Sequence, residues 1–224
     1  PFDWNNPEHK SNPYANRDPR LAMSILTNNV EFKDRTIEAW TGGRDGKGVI
    51  HATRTGYYIY KFIDPNLDLL QNRTSVHHWV IMRYAEILLS YAEAMNEAYG
   101  PTGNVGYRLN AVRALNQVRN RVGVEMPAVP TAISKEELRE KIRNERRVEL
   151  AFEDHRFLDV RRWMIAPETL GAPLRGVEIT KISDEEFEYK PIEVEKRTFE
   201  PKMYLYPIPQ ADLNTTGWVQ NPLW

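Results

Sequence analysis

The sequence predicts a mainly α fold, with tetratricopeptide-like helical hairpins joined to a loop-rich region and a few short β-strands. Three observations predict it. From Trp79 to Trp163 apolar residues recur at the 3.6-residue period of amphipathic helices. Before that stretch, Asn-Pro, Asp-Pro and Gly-Gly pairs interrupt the chain repeatedly. The whole chain has 224 residues, 41% of them hydrophobic and 11% aromatic, enough to build a core and too apolar for a disordered segment.

The pattern divides the chain into three stretches of one domain: loop-rich 1–78, a four-helix core over 79–166, and C-terminal loops with short strands over 167–224. In the first, Asn5-Asn6-Pro7, Asn12-Pro13 and Asp18-Pro19 are turn signals, Arg20–Leu26 suits a short strand or one helical turn, and Gly56–Phe62 reads as a strand. The first long helix is expected over 79–98, where Ile87, Tyr91, Ala94 and Ala98 run beside Leu88, Ala92, Met95 and Tyr99 and Gly100-Pro101 ends it. The second spans 106–122 on a stripe of Leu109, Val112, Leu115, Val118 and Val122, with Gly123 as its terminal glycine. The third starts at Ser134, which forms a capping box with Glu137, and runs to about Phe152. The fourth covers about 155–165 and stops before Pro167. Beyond 166 the helical signal fades into loops with short strands, among them Met203–Tyr206 closed by Pro207-Ile208-Pro209. Two such hairpins resemble tetratricopeptide packing, although no repeat of roughly 34 residues is visible.

Composition narrows the chemistry. Thirty basic residues balance 31 acidic ones, so the excess positive charge that nucleic-acid binding demands is missing. With no cysteine, disulfides, thiolate metal sites and cysteine nucleophiles are excluded. No apolar run approaches the roughly 20 residues of a membrane span. The chain opens at Pro1 without an initiator Met and reads as part of a longer precursor.

The third helix carries the main anomaly. Its core stripe reads Leu138, Ile142, Glu145, Glu149, Phe152, which places two carboxylates where apolar residues belong. Buried carboxylates persist when paired, and Arg83, Arg113, Arg119, Arg121, Arg156, Arg161 and Arg162 are available. One reading is a catalytic acid pair and the other an arginine–carboxylate network that fixes helix packing. Carboxylates four residues apart on one helix are close neighbours and do not flank a scissile bond, which favours the network. Arg83 and Glu86, on the polar face of the first long helix with Ser90, Glu93 and Glu97, are further ion-pair candidates.

Other motifs fail on detail. The run Gly42–Gly48 lacks the Ser or Thr and the following helix of a phosphate loop. It lies between Trp40 and Tyr57, and aromatic faces beside charged groups suit a sugar; Trp40, Arg44, Asp45 and Tyr57, with Trp4 in addition, are the candidate ligand contacts. Asp64–Asp68 opens like a calcium loop but has Leu69 and Ser75 where Gly and Glu belong. Histidines 9, 51, 77, 78 and 155 show no metal-ligand spacing, and there is no Gly-x-Ser-x-Gly elbow.

Longer motifs carry a family resemblance. Arg83-Tyr84-Ala85-Glu86-Ile87-Leu88-Leu89-Ser90-Tyr91-Ala92-Glu93-Ala94 resembles the signature helix of the SusD/RagB family. Leu109–Arg113, Asn116–Arg121, Glu145–Glu153 and His155–Trp163 continue the resemblance, Asp18-Pro19-Arg20 is similar to the family's upstream turn, and Tyr206–Pro209 and Gln220–Pro222 to its C-terminal marks. Leu223-Trp224 departs from the Gly and aromatic pair usual there. The resemblance implies a non-catalytic, cofactor-free lipoprotein on the outward face of the outer membrane. Such a protein binds oligo- or polysaccharides, or peptides in the RagB branch, and delivers them to a SusC-like TonB-dependent transporter. It further implies a lipid anchor and an N-terminal half outside this sequence. In that family the signature motifs determine the fold, which makes Glu86, Glu145, Glu149, Arg83, Arg119 and Arg156 structural ion-pair candidates.

Overall fold

The computed structural model describes residues 2–76 and 78–224, which leaves Pro1 and His77 outside it. In chain order the elements are α1 (Pro7–Ser11), α2 (Arg20–Ser24), β1 (Ile25–Leu26), β2 (Glu31–Phe32), β3 (Arg35–Thr36), β4 (Tyr58–Ile59), α3 (Tyr84–Tyr99), α4 (Ala111–Arg119), α5 (Lys135–Glu149), α6 (His155–Arg162), α7 (Ala166–Thr169), β5 (Leu174–Lys181), β6 (Phe187–Glu195) and α8 (Gln210–Thr216). Short 3₁₀ turns occupy Leu69–Gln71 and Pro201–Tyr204. None of these helices is long and apolar enough to cross a membrane.

The four expected helices are α3 to α6, each shorter than the periodicity suggests. α3 begins at Tyr84 instead of 79: Arg83 is extended (φ −143°, ψ 161°), its guanidinium drawn to Glu149 and Glu153. Its end at Gly100 (φ +75°) falls where the glycine predicts. α4 starts at 111 because Asn110 Oδ1 accepts the Arg113 N–H at 2.9 Å. It stops at Arg119, so Gly123 lies beyond the helix end and serves a later turn with φ +82°. α5 carries the expected capping box, Ser134 and Glu137 each accepting the other's backbone N–H at 3.1 Å. It ends at Glu149, and Phe152 turns left-handed (φ +63°) and stays 41% exposed instead of joining the core stripe. Past α6, Pro167 opens the one-turn α7 instead of only ending a helix.

α3 packs against both α4 and α5, and α6 packs on α5. Their core joins Leu88, Leu89, Ala92 and Met95 of α3 to Val112, Leu115 and Val118 of α4 and Leu138 and Ile142 of α5. The buried face of α3 is therefore the Leu88–Ala92–Met95 row; Ile87, Ala94, Ala98 and Tyr99 are exposed.

A second core forms on the long antiparallel hairpin β5–β6, which the sequence presents only as loop with short strands. Val177, Ile179 and Tyr189 meet Leu26, Ile37 and Ala39 there. The Gly56–Phe62 run contributes only Tyr58–Ile59, paired with β1, and the Arg20–Leu26 run is one helical turn followed by a strand. β2 and β3 form a tight hairpin in which Lys33 and Asp34 both take positive φ. Met203–Tyr206 is not a strand. The Arg161 guanidinium takes the carbonyls of Met203 (2.6 Å) and Tyr204, curling the chain into a 3₁₀ turn. α8 has no buried residue and hence no apolar stripe to reveal it.

Where the 53–56 loop crosses β5, Val177 N–H donates to Thr55 O at 2.9 Å, and two glycines make the approach possible. A Cβ on Gly176 would lie 2.7 Å from the Thr55 backbone, and one on Gly56 2.7 Å from Val177 O. Gly176→Ala is expected to destabilise the protein by about 1–3 kcal/mol through overpacking. A denaturant midpoint equal to that of the parent protein would refute this close approach.

Candidate functional site

The chain's most concentrated polar chemistry surrounds the C-terminal half of α5. Glu145 and Glu149 are 1% and 2% exposed. Arg20, itself 4% exposed, bridges them: Nη1 donates to Glu145 Oε1 at 2.6 Å and to Glu149 Oε2 at 2.8 Å. Asp18 orients that guanidinium from behind, accepting Nε at 2.9 Å and Nη2 at 2.6 Å. Arg119 Nη1 reaches the other oxygen of Glu145 at 2.6 Å, while Arg83 and Arg121 reach Glu149 Oε1 at 2.7 and 2.5 Å. Glu153 extends the lattice, accepting from Arg83 Nε at 2.7 Å and Lys61 Nζ at 2.5 Å.

The cations also end the helix. Lys61 Nζ donates to the carbonyls of Glu149 and Ala151, and Arg83 Nη2 to that of Glu149, filling acceptors the last turn of α5 leaves open. Burial pushes the Glu149 carboxyl pKa up, but the hydrogen bonds from Arg20 and Arg83 outweigh it and hold it below the ordinary value. Glu153 is depressed in the same way, against burial, by Arg83 and Lys61.

The other ion-pair candidates divide. Glu86 meets His155 Nε2 at 3.6 Å, outside this lattice. Arg156 is a correction: it joins no ion pair among the described residues, and burial together with Arg147 lowers its pKa. Arg20 is the residue that the ion-pair reading missed. It lies 125 positions from Glu145, and the one local sign of its role is Asp18, two residues before it. A second ionic group ties α5 to α6 through Arg146 and Asp159 at 2.8 Å, with Arg162 of α6 also donating to Asp159 at 3.0 Å.

Beside the lattice opens a cleft of about 240 Å³. Arg20, Lys61, Arg83 and Arg121 line its polar side, and Met23 and Val80 lie on its apolar side. Among the described residues no group of three or more His, Asp or Glu side chains is placed to hold a metal ion.

The ligand-contact candidates gather around the second core. Trp4, Trp40 and Tyr57 all pack against it, half-buried. Trp40 lies 5.4 Å from Phe187, with Lys181 Nζ 4.9 Å from its ring centroid. Tyr57 stands edge-on to Tyr14, and burial raises its pKa. Asp45 gives both oxygens to Arg35 at 2.6 and 2.7 Å and also accepts the Glu38 N–H, and the Arg35 hydrogen bond holds its pKa down. Arg44 reaches Glu38 at 3.3 Å and remains 66% exposed. Arg44 thus faces solvent, whereas Asp45 is tied into the loop by Arg35 and Trp40 and Tyr57 are half-buried on the second core.

Two measurements test the lattice. Glu145→Ala should lower unfolding free energy by about 3–5 kcal/mol, because Arg20 and Arg119 lose an acceptor inside the protein; a loss below about 0.5 kcal/mol in urea titration would place Glu145 outside the core network. Glu149 and Glu153 have folded pKa values below that of an ordinary glutamate. Their stabilisation is therefore complete above that value and is lost as pH falls through the lowered folded values. Glu149→Gln should flatten the acid limb of the stability–pH curve, and an unchanged limb would contradict the pairing.

Comparison with known proteins converges on one family. Residues 4–224 match the model of the SusD family. A SusD-like protein of Bacteroides fragilis superposes with a TM-score of 0.75 at 32% identity, over 94% of this chain and 40% of that one. A SusD-like carbohydrate binding protein of the same organism gives 0.73 at 30% identity, over 96% of this chain and 44% of that one. SusD-like protein P2 of Formosa agariphila is 34% identical over 120 residues, 51% of this chain and 22% of that protein. The chain spans less than half the length of these relatives. With a match that runs through the lattice helices and the aromatic rim alike, the chain belongs to the SusD family.

Proposed function

We propose that this protein binds glycans without catalysing their breakdown, at the outward face of a bacterial outer membrane, and presents them to a SusC-like TonB-dependent transporter. The observation that carries the reading is the match, over 96% of the chain, to a SusD-like carbohydrate binding protein. Two features of the chain agree with it. The conspicuous carboxylates are unsuited to acid–base work. A general acid needs a raised pKa, whereas arginines hold Glu149 down and occupy both oxygens of Glu145. The rim over the second core, by contrast, presents the half-buried Trp40 beside the exposed Arg44. An indole offers a broad apolar face with little rotamer entropy to lose, and a guanidinium donates to hydroxyls. Lys181, over the Trp40 ring, is the group a sugar would displace. The transporter partnership and the lipid anchor belong to the full-length protein in this reading.

Affinity electrophoresis through gels carrying individual polysaccharides tests it. At least one polysaccharide should retard the full-length protein, and Trp40→Ala should weaken that retardation about tenfold. Unaltered migration in every gel, with binding to peptide pools instead, would replace the glycan reading by a peptide one.

A further inference from the structure

The cleft beside the α5 lattice is a different surface from the aromatic rim, and its charge is unbalanced. Arg20, Lys61, Arg83 and Arg121 border it, against only Glu149 and Glu153. The first three cations are spent. Arg20 makes four hydrogen bonds to carboxylates, Arg83 four to Glu149 and Glu153, and Lys61 three along the end of α5. Arg121 is not. Its one side-chain hydrogen bond runs from Nη1 to Glu149, so Nε and Nη2 have no protein acceptor among the described residues, and its side chain is 40% exposed. The carboxylate it touches already accepts from Arg20 and Arg83. The cleft thus holds a surplus positive charge with unused donors, next to the apolar side chains of Met23, Val80 and Val148. Near such walls an anion is bound more strongly than in open water.

We infer that the cleft takes the anionic group of an acidic saccharide, a sugar carboxylate or sugar sulfate, through the free edge of the Arg121 guanidinium. The planar edge formed by Nε and Nη2 matches two oxygens of either group, and the apolar wall suits the C–H face of the attached ring. A volume of about 240 Å³ is smaller than the roughly 300–1,000 Å³ of drug-sized pockets and fits one sugar unit. This inference rests on the glycan-binding reading and sharpens it to charged glycans.

Calorimetry of the intact protein tests it with four probes: a galacturonic-acid oligosaccharide, a sulfated galactan oligosaccharide, a neutral malto-oligosaccharide and sodium sulfate. One acidic saccharide should bind about tenfold or more tightly than the neutral one, with affinity falling as salt rises; which of the two binds identifies the anion. Arg121→Gln should abolish that preference. Should Arg121→Gln fail to fold, Val80→Glu places a carboxylate in the cleft without removing any member of the lattice and should abolish it equally. Equal affinity for neutral and acidic saccharides would overturn the inference while leaving glycan binding intact. Sodium sulfate bound as tightly as the sulfated saccharide would reduce the cleft to a simple anion site and also overturn it. Binding of none of the three saccharides would overturn this inference, while the polysaccharide gels decide the glycan reading separately.

Discussion

The structure depends on one guanidinium. Arg20 sits at 4% exposure, with Glu145 and Glu149 on one side and Asp18 on the other. A lone carboxylate or guanidinium in that position would be expelled or neutralised, since transfer of an isolated charge out of water is prohibitive. Here each charge is the other's solvent. Glu145 accepts from two arginines, Glu149 from three and Glu153 from an arginine and a lysine, so no carboxylate of the set is left uncompensated. The reverse holds as well: removing Arg20 or Glu145 strands buried partners, so the interior of the lattice persists as a unit.

Its position explains how two cores share one chain. Asp18 and Arg20 enter on the turn before β1, Lys61 follows β4, and Arg83 immediately precedes α3. β1 and β4 pair with each other beside the second core, whereas α3 belongs to the first. The lattice therefore draws the ends of the loop-rich segment onto α5 and fixes the aromatic core relative to the helices. Packing alone would serve less well here. Apolar contacts are non-directional, whereas a bridged guanidinium defines both distance and orientation.

What could be read from the sequence follows the same division. Local signals are legible: the capping box at Ser134, the Gly100 stop and the misplaced carboxylates in the α5 stripe are each set by residues within a turn or two. The carboxylates even announced that cations must come, and Arg83 and Arg119 were identifiable. Arg20 is not, because its glutamate partners lie more than 100 residues away and an arginine at the start of a one-turn helix beside Asp18 looks like a local surface pair. The same blindness to distance hid the β5–β6 hairpin, whose strands bury one face against Leu26, Ile37 and Ala39 from the far end of the chain. Arg161 overrode the strand-like alternation of Met203–Tyr206 by claiming its carbonyls, and such tertiary overrides have no local trace. In the rim, sequence could place Asp45 and Arg44 side by side. It could not show that Arg35 saturates the first, while the second stays open to solvent.

The contrast between Asp45 and Arg44 carries a wider point about where recognition can reside in this chain. A polar side chain whose hydrogen bonds are all made within the protein has nothing left to offer a ligand without breaking what holds it, and leaving its partner unsatisfied is costly. By that criterion Glu145, Glu149, Arg20 and Asp45 are framework, however chemically suggestive they look. The groups with capacity to spare are those at the edges of the same networks: Arg44 at the rim and Arg121 at the cleft. Both are attached to a carboxylate that fixes them loosely in place while most of their donors stay available. A saturated interior that pre-positions unsaturated edges gives the fold rigidity while leaving donors free at those edges.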